Sequence, residues 1–183
     1  MSDRSELDRA VVDARQRTLA LVADLGDEQL RGPRLAIVNP LLWEIGHVAW
    51  FQEKWVLRHA LGEPPIRPDG DALWDSATVP HDTRWDLPLP TRADTLSYMT
   101  EVRDRVLDRL APGGGDRRLL YFVRYTVYHE DMHDEAFTYT RQVLQPDGTF
   151  RIVTATHVCE GSRRNNGFYG DGIVDARRVA RGF

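Results

Sequence analysis

Four amphipathic segments, each with its own start and stop signals, restrict this chain of 183 residues to an all-helical bundle. The first runs from about Ser5 to Leu25, with Leu7, Val11, Ala14, Leu19 and Val22 as an approximately helical apolar stripe and Gly26 as a stop. The second opens at Asn39, whose side chain can cap, and at Pro40, which suits a first turn where no N–H is needed; Gly62 lies just beyond its end. Its apolar face is aromatic: Trp43, Trp50, Phe51 and Trp55. Thr91 opens the third, its hydroxyl placed to cap with Asp94 three residues on, and Leu96, Met99, Val102, Val106 and Leu110 follow at helical spacing before Pro112-Gly113-Gly114-Gly115. The fourth and longest spans about Asp116 to Leu144. With short connections at the first and third turns, residues 1–144 are expected to form an up-down-up-down four-helix bundle.

The second connection is different. Residues 63–90 hold six prolines, two tryptophans and no helical period. A connection of that length is uncommon unless it has a task, such as covering a site, and Trp74 and Trp85 can anchor it to the bundle. After Gln145 the composition changes again, with six glycines in the last 39 residues. That stretch, 145–183, is expected to be an irregular tail with a short alternating run, Thr149 to Val158, able to form a hairpin strand.

Net charge excludes some partners. At −4, with no basic cluster, the chain lacks the positive surface that nucleic acid or an anionic membrane requires. Small-molecule or protein partners are expected instead. Cys159 is the sole cysteine, no run approaches the ~20 apolar residues of a membrane span, and the first residues hold no apolar signal core, so a cytoplasmic setting is expected.

The chemistry concentrates at His129-Glu130-Asp131-Met132-His133. Two imidazoles four residues apart project from one helix face and can share a metal ion. The spelling also matches the zinc protease signature, in which the glutamate is the general base. That reading fails on context: the upstream chain is helical and offers no edge strand for a peptide, and Asp134-Glu135-Ala136-Phe137 does not continue into the extended pattern with a third histidine. As third ligand His47 stands first, because it lies inside the second helix among Trp43, Glu44, Trp50 and Phe51, where an unpaired polar ring is costly to bury. His59, near that helix's end, complements the helix dipole and reads as structural; His81 and His157 fall in non-helical stretches. Three imidazoles would leave coordination positions open, which suits Fe(II) oxygen chemistry or a zinc-bound water, and nickel and copper accept the same donors.

The run from Asn39 to Phe51 and the run from His129 to Glu135 together resemble the DinB superfamily of four-helix metal-binding domains, and within it the N-terminal domain of the ergothioneine and selenoneine synthases. Asp75-Ser76 and the stretch His81 to Pro88 are similar to the selenoneine branch. The resemblance covers roughly residues 5–144. It implies His47, His129 and His133 as ligands of a non-heme iron, and an oxygen-dependent joining of a sulfur or selenium donor to the imidazole C2 of hercynine. It also makes Arg84 the candidate to hold the donor's carboxylate through a bidentate pair. Full synthases continue into a formylglycine-generating-enzyme-like domain that completes the pocket, and residues 145–183 carry none of its sequence; the expectation is a truncated or split product, with such a domain supplied in trans by another polypeptide or lost. Two other readings stand beside it: a self-sufficient DinB-type thiol transferase or hydrolase using zinc or nickel, and a metal-binding remnant without turnover.

Overall fold

A computed structural model describes residues 3–110 and 116–142. Its elements are α1 (Asp3–Val22), α2 (Asp27–Arg31), α3 (Leu41–Gln52) continued by π-helical turns over Glu53–Ala60, α4 (Gly70–Trp74), a 3-10 turn at His81–Thr83, α5 (Arg92–Leu110) and α6 (Arg117–Gln142). The protein is all-α, with no strand among the described residues. The expected hairpin run Thr149 to Val158 and the tail 145–183 lie outside them. No helix among the described residues is long and apolar enough to cross a membrane.

Local chemistry explains where the helices start and stop. Thr91 caps α5 as expected, accepting the Asp94 N–H at 3.2 Å. Gly62 sits at φ +74°, and the Gly62 and Glu63 N–H groups bond back to the Arg58 and Leu57 carbonyls, both at 3.0 Å, closing the π-helical turns in a Schellman-like arrangement. Two expectations need correction. α1 ends at Val22, and Gly26 instead precedes α2, where its N–H meets the Gln29 side chain at 2.9 Å. Asn39 does not cap α3: Pro40 occupies that position, and the Asn39 amide is spent on Glu44 and Arg84.

Helix directions also differ from the alternating order expected. Arg15, Thr18 and Arg141 tie α1 to α6 through Glu130, Asp134 and Asp24, positions that rise together along both helices, so α1 and α6 run parallel. Tyr98 meets Glu53 and Arg109 meets Glu63, so α3 and α5 are parallel as well. Phe51 on His129 and Trp55 on Phe122 make α3 and α6 antiparallel. The order is therefore up, down, down, up, with helices packed in the ring α1, α5, α3, α6. The physical reason lies in residues 61–91: a parallel pair needs a connection that returns the whole length of the bundle. It starts beside Arg109, passes Trp74 stacked on Tyr98 at 5.1 Å, reaches Asn39 with Arg84, and delivers Arg92 to the Leu25 carbonyl.

Two apolar clusters fill the bundle. One gathers Val22, Leu41, Ile45, Val48, Trp74, Met99 and Phe137; the other gathers Leu7, Val11, Val56, Val106, Leu119 and Val123 at the opposite end. Each such side chain contributes about 1.5–3 kcal/mol on burial. Trp74 and Trp85 are both buried, as expected of anchors for the crossover.

Candidate metal centre

The antiparallel packing of α3 on α6 sets His47 against His129 and His133. On α6 the i, i+4 spacing stacks the two rings on one face, 4.6 Å between centroids. His47 completes a triangle, at 5.1 Å from His129 and 4.9 Å from His133. One nitrogen from each of the three lies within 4.8 Å of the others. The His47 ring is fixed from two sides: it stacks on Trp43 at 4.7 Å and 10°, and its Nδ1 is 2.8 Å from the Trp74 carbonyl. A carbonyl only accepts, so Nδ1 carries the proton and Nε2 keeps its lone pair. Gly46 makes this possible. A Cβ there would lie 2.2 Å from the Trp74 indole, so only glycine lets that ring, and the carbonyl behind it, approach α3.

Burial keeps His47 and His129 neutral. It pushes His47 down to about 3, with the neighbouring His133 adding to the effect, and pushes His129 down to about 2, with His133 and His47 adding. Phe51 lies flat on His129, 3.5 Å between centroids at 4°, and excludes water from that face. The Nδ1 atoms of His129 and His133 are buried with no hydrogen-bond partner among the described residues. Converging and under-partnered imidazoles are the donor set that a borderline divalent ion takes, and the residues fit such an ion.

A DinB superfamily model matches residues 10–137. The chain belongs to the DinB superfamily. Among its relatives, the hercynine oxygenase of Mycolicibacterium thermoresistibile is 36% identical over 134 residues, 72% of this chain and 30% of the relative. That of Mycobacterium tuberculosis is 34% identical over 139 residues, 74% and 32%, and that of Mycolicibacterium smegmatis is 32% identical over 124 residues, 67% and 28%. The chain thus spans about a third of the length of the curated relatives it matches.

The other expected residues of this DinB domain fall as follows. Glu130 faces away from the histidines and is clamped by Arg15, Nε to Oε1 at 2.8 Å and Nη2 to Oε2 at 3.3 Å, with the Thr18 hydroxyl oxygen 2.9 Å from Oε1. A carboxylate held there is not a general base for the histidine face. His59 accepts Arg118 at its carbonyl, 3.0 Å, at the end of the π-helical turns; His81 is tethered to the Val38 carbonyl at 2.7 Å; neither joins the cluster. His157 lies outside the described residues. Arg84 is buried with both terminal nitrogens engaged, Nη1 to Asn39 Oδ1 at 2.7 Å and Nη2 to the Val79 carbonyl at 3.3 Å, and its guanidinium lies 3.9 Å over the Trp43 ring. Sequence reasoning missed Glu44, which is 2% exposed and only 3.7 Å from His133. The signal was a carboxylate one helical turn before His47 on an otherwise apolar helix.

Proposed function

We propose that this chain is the iron-binding helical domain of a hercynine-oxidising enzyme, with His47, His129 and His133 as ligands of a non-heme Fe(II). The single observation that carries the reading is a converging three-histidine cluster in a chain whose relatives are named hercynine oxygenase. Bound there, Fe(II) supplies oxygen activation for joining a sulfur or selenium donor to hercynine. The chain's own residues prepare for it. Trp43 and Phe51 keep water from two imidazole faces, and the Trp74 carbonyl holds His47 with Nε2 free. Hercynine and a thiol or selenium donor are the substrates in this reading, and a formylglycine-generating-enzyme-like domain, covalently attached or in trans, completes their pocket. Arg84 contacts the donor's carboxylate only if its terminal nitrogens leave Asn39 and Val79.

Anaerobic titration with Fe(II) is expected to give one ion per chain, lost in His133→Ala with the helical circular dichroism unchanged. A wild-type chain that binds no divalent ion sinks the proposal. Zinc or nickel loading with oxygen-independent turnover of thiol conjugates would favour a stand-alone transferase or hydrolase instead.

A further inference from the structure

Arg84, Asn39 and Glu44 form a polar chain that ends at His133. Arg84 Nη1 donates to Asn39 Oδ1 at 2.7 Å, and Asn39 Nδ2 donates to Glu44 Oε1 at 2.8 Å. With a donor on one side and an acceptor on the other, only one orientation of the Asn39 amide satisfies both. Glu44 Oε1 lies 3.7 Å from His133 Nδ1, beyond hydrogen-bond distance, while Glu44 Oε2 and His133 Nδ1 are both buried without a partner among the described residues. A carboxylate oxygen and a ring nitrogen buried without partners are each costly, and the carboxylate that carries the one already lies 3.7 Å from the other.

We infer that Glu44 is a positioning residue that takes the Nδ1–H of His133 and so presents its Nε2 to the metal, and that Arg84, through Asn39, holds Glu44 in place. This rests on the metal-binding reading of the three histidines. It gives the crossover segment a task that composition did not reveal: residue 84, far along the connection, orients ligands on α3 and α6. A carboxylate behind a ligating histidine fixes its tautomer and raises its donor strength, and losing such a partner typically weakens metal binding by about 10–100-fold.

Co(II) titration followed by its visible absorption tests both links. Glu44→Gln keeps the shape and the Asn39 bond; it is expected to weaken Co(II) binding by about 10–100-fold and to shift the d–d bands. Arg84→Met should weaken binding less, and should add little when Glu44 is already glutamine, because both changes break one chain. An unchanged affinity and spectrum in Glu44→Gln overturns the role of Glu44, and additive losses overturn the link to Arg84. If Glu44→Gln does not fold, histidine nitrogen shifts of the zinc-loaded wild type decide: His133 bound through Nε2 with Nδ1 protonated is expected, and zinc on Nδ1 overturns the inference. A wild type that binds neither Co(II) nor zinc overturns this inference and the metal reading together.

Discussion

At the scale of single residues, the site depends as much on what is missing as on what is present. Gly46 has no side chain, and the Trp74 indole occupies the space a Cβ would take. Gly46→Ala forces either the indole or α3 to move, and Trp74 is fully buried, so the strain has no easy outlet. The expected loss is about 1–3 kcal/mol in urea unfolding. Weaker metal binding should accompany it, because the Trp74 carbonyl that holds His47 moves with the ring. A variant as stable as the wild type, with equal metal affinity, would show that the close approach is not needed. The three histidines were legible from spacing and from the improbability of an unpaired ring among tryptophans. Glu44 was not, because a carboxylate at the start of a helix is ordinary, and its one local signal, the apolar residues around it, does not say which group it faces.

At the scale of elements, α4 is a short helix that adds an electrostatic tie to the packing of Trp74. Asp71 on α4 accepts Arg58 through both oxygens, at 2.6 and 2.8 Å, and Trp50 Nε1 at 2.8 Å, tying the crossover to α3 and its π-helical turns. The Arg58 hydrogen bonds, helped by Trp50, hold the Asp71 carboxyl below its ordinary 3.8. A depressed folded value means stability that is present above 3.8 and lost as pH falls through the folded value. Asp71→Asn should therefore lower Tm near neutral pH, and the gap to wild type should close on acidification below that range. Asp71 is half-exposed, so the effect is modest and shrinks in high salt. A gap that persists at the acid end would assign the loss to packing. Helix positions were legible because capping and period are local. Helix directions were not: the crossover's prolines and tryptophans were read as a cover, whereas its length is what a parallel α3 and α5 demand.

At the scale of the whole molecule, the two apolar clusters meet at Arg15. Its guanidinium bonds Glu130 on α6, the Gln52 side chain on α3 and the Met99 carbonyl on α5, so one side chain touches every other long helix of the bundle. Arg15 and Glu130 are both almost fully buried. Arg15→Met leaves the Glu130 charge unpaired in the interior, with an expected loss of about 3–5 kcal/mol in global stability. Arg15→Met with Glu130→Met should recover most of it, since two apolar side chains replace a desolvated pair. No recovery in a chemical denaturation series would mean that the pair, not its charge balance, sets stability.

The clamp on Glu130 also decides which ligand chemistry α6 shows to α3. His129 and His133 have neighbours at the same spacing, Glu130 and Asp134, one residue on. Turning α6 by one residue, about 100°, would withdraw two imidazoles and offer His47 two carboxylates. Arg15 holds Glu130, and Thr18 and Arg17 hold Asp134, so the oxygen pair stays turned toward α1. Which face of α6 meets His47 is thus fixed from α1, a helix that contributes none of the three imidazoles.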